Sequence, residues 1–232
     1  MILLCVDTSG PVAGAALLEN GVVRYEATAV NAFTHSQSIL PLIEEAYLHT
    51  GLTAEGTDYF AVTVGPGSFT GVRIGVSTVK GLAHAADKPC IAVDALEAMA
   101  AGVMPFDGVI CPIQDARAGQ VYGAAFSGGT LRRLLPDEPI ALPDYLKKVS
   151  GFQKPLLFLG DGMPIHKEAI KEALGDQARF APPHLAYLRP AAAAYLAAGK
   201  TGEAVSCREL KPLYLRPPQA ERQKNLKEAA HA

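Results

Sequence analysis

The feature that most constrains this chain is an eleven-residue stretch, Gly65-Pro66-Gly67-Ser68-Phe69-Thr70-Gly71-Val72-Arg73-Ile74-Gly75. It follows an apolar, β-rich run at residues 59–64. It leads into Val72, Val76, Val79, Leu82, Ala83 and Ala86, which are spaced as one face of a helix. A buried strand that passes through a glycine turn into a helix is the basic unit of an α/β fold. Gly-Pro-Gly permits a sharp turn and close backbone approach. Ser68 or Thr70 can cap the helix, whose first N–H groups suit an anion. This is not a Walker loop, because Gly71-Val72-Arg73 stands where Gly-Lys-Ser/Thr is required. Phosphate binding therefore stays open here. Gly71, Gly75, Thr78, Gly81 and Ala85 also set small side chains near one another on the helix. An interior glycine costs about 1 kcal/mol against alanine, so three of them need a reason. Close approach by another helix, of this chain or of a partner subunit, supplies one.

Around this unit the pattern is that of a mixed sheet. Residues 1–6 read as a buried strand and Asp7-Thr8-Ser9-Gly10-Pro11 as a turn. Residues 12–18 and 22–29 read as two more strands joined at Glu19-Asn20-Gly21, an antiparallel meander. A helix is expected over residues 35–50, with Ile39, Leu40, Ile43, Ala46 and Tyr47 at helical spacing and Gly51 placed to end it. A strand at 90–93 and a helix at 95–101 follow the glycine loop. Near residue 103 the pattern restarts. A strand at 109–113 ends near Asp115, and Val121-Tyr122-Gly123-Ala124-Ala125-Phe126 is its hairpin partner, as Val12-Ala13-Gly14-Ala15-Ala16-Leu17 follows Asp7. Residues 155–159 then enter Gly160-Asp161-Gly162 and a helix over 165–174. Two halves with these features in one order predict a duplicated α/β unit with a cleft between the copies. The expected division is 1–103, 104–218 and a polar tail at 219–232. A helix at 187–199 and the run at 210–216 complete the second unit. Pro217-Pro218 and the Lys-, Glu- and Gln-rich residues beyond predict a loose or partner-dependent terminus.

Composition narrows the function. Of 232 residues, 49% are hydrophobic and only 19% charged, which excludes disorder over most of the length. A formal charge of −2 gives no general attraction to a nucleic-acid backbone. Cys5, Cys90, Cys111 and Cys207 are scattered, with no CxxC and no histidine at ligand spacing, which argues against a disulfide framework or a zinc site. Three of them lie in apolar runs and read as core residues in a reducing compartment. The apolar run at residues 2–6 is too short for a signal peptide or a membrane span, so a cytoplasmic protein is expected. The histidines form no HxxxH or HExxH, and no Gly-x-Ser-x-Gly elbow occurs. Asp7 fits two roles: orienting a magnesium-bound water beside a nucleotide, or bonding its own turn. With Thr8, Gly67 and Ser68 it forms the candidate nucleotide or anion contact. Gln114-Asp115-Ala116-Arg117 reads either as a polar cluster facing the cleft or as an internal Asp–Arg pair.

Residues 2–9, His35-Ser36, the glycine stretch, Asp115-Ala116-Arg117 with Val121-Tyr122, and Tyr214-Leu215-Arg216 together closely resemble the bacterial TsaB family, also called YeaZ. The resemblance runs from residue 2 to about 218. It implies an α/β fold of the actin-like ATPase superfamily, with two ribonuclease-H-like subdomains of mixed sheets flanked by helices. It also implies a subunit of the machinery that puts a threonylcarbamoyl group on N6 of adenosine 37 in tRNAs reading ANN codons. In the catalytic paralogue, TsaD, a metal-binding Asn-His-Leu-Glu-Gly-His motif follows the same loop and helix. Here the matching stretch is Asp94-Ala95-Leu96-Glu97-Ala98-Met99. Ala95 has no lone pair to offer, and the thioether of Met99 is a poor substitute for imidazole on iron or zinc. The resemblance thus implies a non-catalytic chain with no metal or cofactor of its own. It implies pairing, with a second copy or with TsaD, through helices at about 35–50 and 70–86. His35, Ile39, Ile43, Tyr47, Gly71, Gly75, Thr78, Val79 and Leu82 are then the interface residues. TsaE, the ATPase partner, is expected on the heterodimer, with tRNA reached mainly through the other subunits and no membrane contact. Rival readings are a stand-alone actin-like ATPase or kinase and a glycoprotease-like hydrolase. Against the first stands the Gln-Asp-Ala-Arg context of Asp115, and against the second the missing metal ligands and nucleophile motif.

Overall fold

The computed structural model describes residues 1–30 and 33–216. β1 (Ile2–Asp7) is the centre of a five-stranded sheet. β2 (Ala13–Glu19) and β3 (Val22–Ala29) extend it on one side as an antiparallel meander. β4 (Tyr59–Gly65) and β5 (Cys90–Asp94) extend it in parallel on the other, giving the order β3-β2-β1-β4-β5. Helix α1 (His35–Thr50) precedes β4, and α2 (Phe69–Ala86) precedes β5. After α3 (Ala95–Ala101) the second half repeats the order. β6 (Val109–Asp115) is central, β7 (Gln120–Ser127) and β8 (Arg133–Ala141) are antiparallel to one side, and β9 (Leu156–Leu159) and β10 (Ala178–Phe180) run parallel on the other. Helices α4 (Leu142–Ser150) and α5 (Gly162–Leu174) take the places of α1 and α2. The duplicated mixed-sheet architecture expected from the sequence is present.

Strand alternation sorts the apolar residues into layers. Leu4 and Val6 of β1 face α1 and α2 and pack with Ile39, Ile43, Val72, Val76 and Val79. Leu3 and Cys5, on the other face, join a central layer that holds α3, α6 (Pro190–Ala198) and, from the second sheet, Ile110, Ala124 and Phe126. One core is therefore shared by both lobes. The chain from Pro190 onward returns to the first lobe. Glu26 on β3 accepts from Ala191 N at 3.1 Å and Arg189 Nε at 3.2 Å. Cys90 and Val205 exchange backbone bonds at 2.7 and 2.8 Å, and Leu213 N donates to Val64 O at 2.7 Å.

Three elements were not expected from the sequence. β8 carries Pro136 and Pro139 among charged residues, which a sheet edge tolerates because one side of the strand owes no ladder bonds. α4 spans nine residues and opens on Leu142-Pro143, while β10 spans three. The buried Leu142, Tyr145, Leu146 and Val149 of α4 do fall at helical spacing, a period the sequence reading left unassigned, whereas three residues of β10 carry none. The helix expected from residue 187 begins at Pro190, whose fixed φ suits a first turn. The one expected from residue 165 begins at Gly162. Residues 210–216 form no helix or strand, although Leu210 is buried. The tail at 219–232 lies outside the described residues. All four cysteines are free, with Cys5, Cys90 and Cys111 buried. Among the described residues, no helix is long and apolar enough to cross a membrane.

The placement of α2 rests on Thr8, which is fully buried. Its Oγ1 donates to Gly71 O at 2.7 Å. A Cβ on Gly71 would run into the Thr8 carbonyl oxygen, and one on Gly75 into Thr8 Oγ1. Gly75→Ala is therefore predicted to lower the unfolding free energy by about 1–3 kcal/mol, the usual cost of overpacking. In a Thr8→Ala background the obstructing oxygen is gone, and the same substitution should be neutral or stabilising, since alanine is the better helix former. Urea denaturation of the four proteins reads this coupling. Strictly additive losses would show that the two positions do not meet.

Candidate functional site

A cleft of about 700 Å³ separates the lobes. One wall is built from the Ser9-Gly10-Pro11 turn, His35 and the start of α2. The other is built from the end of β6 with Tyr122 and Asp161, and Leu213 to Arg216 border it. The glycine loop is folded against the β1 turn. Gly67 sits at φ +154° with no room for a Cβ beside Ser9 O, and Ser68 N donates to Ser9 O at 2.7 Å. Ser68 caps α2, its Oγ accepting from Gly71 N at 3.2 Å. His35 Nε2 pairs with Gly10 O at 2.9 Å.

Of the four candidate anion contacts, Gly67 and Ser68 line the cleft, and Asp7 and Thr8 do not. Asp7 Oδ1 accepts from Ser9 N at 3.0 Å, from Ser9 Oγ at 2.7 Å and from Thr63 Oγ1. Burial pushes this carboxyl above its usual range, while the same hydrogen bonds pull it down. A carboxylate enclosed in this way bonds its own turn. Of the two roles weighed for Asp7, bonding its own turn accounts for the contacts from Ser9. On the opposite wall, Asp115 Oδ1 accepts from Arg117 N at 2.8 Å, so the contact is to backbone rather than guanidinium. Asp161 Oδ1 accepts from Asp115 N at 3.3 Å, and burial pushes Asp161 up to about 6. Arg216 Nη1 donates to Ala116 O at 3.3 Å. Gln114 also lines this wall, and its side-chain amide has no hydrogen-bond partner among the described residues. In the sequence Gln114 reads as the first member of the Gln114-Asp115-Ala116-Arg117 polar cluster. That its amide is unpaired is not visible there.

The helix residues named as interface sort by direction. Ile39, Ile43 and Val79 are 1%, 3% and 0% exposed and lie in the first lobe's own core. The close approach that Gly71 and Gly75 permit is to Thr8 of the same chain. Tyr47 Oη meets Thr57 Oγ1 at 2.8 Å, and Leu82 packs onto the same core. Thr78 opens outward, into a groove with Phe69, Arg73, Ile74 and Ser77. The outer face of the helix pair also carries Leu40 and Leu48, 48% and 78% exposed. Gly81 is on that face, with nothing among the described residues within 4 Å of where its Cβ would be.

The stretch from Asp94 to Met99 is α3 and its cap. Asp94 Oδ1 accepts from Glu97 N at 2.7 Å, and Ala95, Leu96, Ala98 and Met99 are buried in the central layer. Glu97 Oε2 pairs with Lys200 Nζ at 2.7 Å. Asp94 Oδ2 lies 3.5 Å from Arg133 Nη2, and Arg133 also pairs with Asp137, so a β8 arginine ties the second lobe to the first. Burial, and then Asp137, push Asp94 up to about 7. Among the described residues, no group of three or more His, Cys, Asp or Glu could hold a metal ion.

Residues 29–224 match the family model described as TsaD: tRNA N6-adenosine threonylcarbamoyltransferase. The chain is 37% identical over 223 residues to the tRNA threonylcarbamoyladenosine biosynthesis protein TsaB of Bacillus subtilis, covering 95% of this chain and 96% of that one. It is 31% identical to the protein of the same name in Haemophilus influenzae, covering 93% and 94%. Among solved structures, YeaZ from Pseudomonas aeruginosa superposes with a TM-score of 0.76 at 26% identity, covering 92% of this chain and 99% of that one. Component A of (R)-2-hydroxyglutaryl-CoA dehydratase from Acidaminococcus fermentans gives 0.51 at 13% identity over 87% and 99%, a likeness of fold alone.

The α3 cap makes a pH prediction. Asp94 is raised from 3.8 to about 7 on folding. Between those values the folded chain holds the extra proton. This group's contribution to stability is therefore full below about pH 4 and lost as pH rises through 7. Asp94→Asn can still cap the helix and cannot titrate. Its unfolding free energy should decline less steeply than that of the wild type between pH 4 and 8. Parallel curves from urea titrations across that range would show that Asp94 ionises as an ordinary carboxylate.

Proposed function

This chain belongs to the TsaB (YeaZ) family and has the actin-like ATPase fold, and from that premise we propose that it serves tRNA threonylcarbamoyladenosine biosynthesis as a non-catalytic subunit that binds and activates a TsaD-type transferase. The observation that carries this reading is α3. At the positions where the transferase resemblance calls for metal ligands, Ala95 and Met99 are packed into the layer that joins the lobes, and Glu97 is engaged by Lys200. These side chains are committed to holding the chain together, which supports a binding role over a chemical one.

The partner face is the outer side of α1 and α2. Leu40, Leu48, Ile74 and Thr78 supply apolar contact. Ser77, Gly81 and Ala85 keep the surface low enough for a partner helix to approach closely. A solvent-facing glycine within an 18-residue helix costs about 1 kcal/mol, and among the described residues Gly81 meets nothing that offsets it. A second copy takes this face when the chain is alone, and the transferase takes it in the heterodimer. A TsaE-type ATPase docks on the heterodimer, and tRNA is held by the other subunits, in keeping with a net charge of −2.

Two measurements test this. Reconstitution with TsaD, TsaE, threonylcarbamoyl-adenylate and tRNA should give modified tRNA only when this chain is present, and equal modification in its absence would sink the proposal. Ser77→Arg with Gly81→Arg should leave the chain folded, as read by circular dichroism, and abolish co-purification with the transferase. A surviving heterodimer would place the interface elsewhere.

A further inference from the structure

Two of the four free cysteines come together where the returning C-terminal run crosses the edge of the first sheet. Cys90 opens β5, the edge strand, and its backbone exchanges hydrogen bonds with Val205 at 2.7 and 2.8 Å, as in an antiparallel ladder. Partners across such a ladder share a face, and so does the residue two further along. Cys207 is that residue, and Cys90, Val205 and Cys207 all pack in the first lobe's core. A turn follows at once, Leu210 N donating to Ser206 O at 3.1 Å, so the run bends at Cys207 instead of carrying it away from β5. Burial, and then Cys207, push the Cys90 thiol up to about 11, while the Lys80 ammonium pulls it down. The other two cysteines have no such neighbour. Cys5 lies in the central layer and Cys111 in the second lobe's core, each the only cysteine there.

Exposure differs within the pair. Cys90 is 0% exposed and cannot meet a reagent directly, whereas Cys207 is partly exposed. Lys80 Nζ donates to Arg208 O and Leu210 O at 3.4 and 3.2 Å, which holds the run against α2 and the ammonium near the pair. We propose that Cys90 and Cys207 form a reversible disulfide clasp that fastens the C-terminal run to the first lobe under oxidising conditions. The oxidant is a low-molecular-weight disulfide. Cys207, as thiolate, attacks one of its sulfurs, forming a mixed disulfide and releasing one thiolate. Cys90 gives up its proton, attacks the Cys207 sulfur and displaces the second thiolate. Two protein thiols are oxidised to one disulfide, one small disulfide is reduced to two thiols, and the protein's two protons end on the thiols released. The segment so fastened goes on to Leu213, whose N–H bonds Val64 O, and to Tyr214, which packs on Phe69 at the start of α2. The clasp needs no partner subunit.

The isolated full chain is equilibrated in mixtures of reduced and oxidised glutathione, quenched with acid, alkylated and mapped by mass spectrometry. A crosslinked peptide joining Cys90 to Cys207 should appear as the oxidised share rises and vanish in reduced glutathione alone, while Cys5 and Cys111 stay as thiols. The crosslinked chain should melt about 5 °C or more above the reduced chain, because the bond closes a long loop. Cys207→Ser, a change at a partly exposed position, should leave Cys90 a thiol at every ratio and abolish the rise. The proposal is overturned if the wild type keeps all four thiols at every ratio, or if the bond that forms joins other cysteines or two chains. It is also overturned if the crosslinked chain melts no higher than the reduced one, since nothing would then have been fastened. Oxidation of Cys90 in Cys207→Ser as readily as in the wild type would likewise overturn it, because the relay through Cys207 would be unnecessary. The wild-type map decides whether the bond forms even if the variant fails to fold.

Discussion

Where α2 crosses the end of β1, Thr8 fills the space that side chains at positions 71 and 75 would need, and its hydroxyl bonds the Gly71 carbonyl. With α2 held there, the Ser9 turn is pressed against the glycine loop and Ser68 N reaches Ser9 O. Asp7 is buried behind that turn, where Ser9 and Thr63 donate to its Oδ1. The same contact fixes the rotation of α2. Gly71, Gly75, Val76 and Val79 are turned inward, and Ser77 and Gly81 are left to solvent. A loop that resembles a phosphate cradle is, in its own structure, first a packing device. Gly71 and Gly75 are required by Thr8, Gly67 by Ser9 and Gly65 by Leu213, all distant in the chain.

The lobes are joined mainly by the apolar layer, and the charged contacts between them set its register. One fully buried leucine contributes about 1.5–3 kcal/mol, and Leu3, Leu18, Leu96 and Leu159 all lie in this layer at 2% exposure or less. An exposed ion pair contributes about 0–1 kcal/mol, and Arg189, which pairs with Glu26, has a side chain 43% exposed. The Asp94, Arg133 and Asp137 cluster differs because it is partly buried and holds two acids to one base. It therefore acts on stability through protonation more than through attraction. It also lies at the N-terminus of α3, where the transferase resemblance implies metal chemistry. That end of α3 is a joint between the lobes.

What the sequence revealed and what it concealed follow from range. The strand, glycine turn and helix units are local, and hydrophobic period with turn chemistry exposes them in both halves. The substitution of Ala95 and Met99 for metal ligands is likewise a matter of residue identity. β8 was hidden because an edge strand can carry Pro136 and Pro139, and β10 because three residues have no period. The small-residue stripe showed that something comes close to α2. Periodicity cannot tell whether that is Thr8 or a partner, and the answer divides the stripe, with Gly71 and Gly75 facing inward and Gly81 outward. Gln114 was legible as a polar residue beside Asp115. The lack of a partner for its amide depends on residues from β1's turn to α5 and could be seen only once they were assembled.

The N-terminal turn of α2 belongs to two surfaces at once. Phe69 and Thr70 line the cleft, and they also line the outer groove with Arg73, Ile74, Ser77 and Thr78. Phe69 is held between Tyr214, with ring centroids 4.7 Å apart, and the Arg73 guanidinium, 5.3 Å from its ring. Tyr214 is next but one to Arg216, on the cleft. A ligand that drew Arg216 inward would act on Tyr214 and Phe69, and a partner seated on the outer groove would act on Arg73 and Phe69 from the other side. Any preference one of them has for a position of Phe69 must be returned by the other, because coupling between two binding events is reciprocal in free energy. A rigid α2, fixed at Thr8, leaves this aromatic contact as the part of the helix start that can adjust.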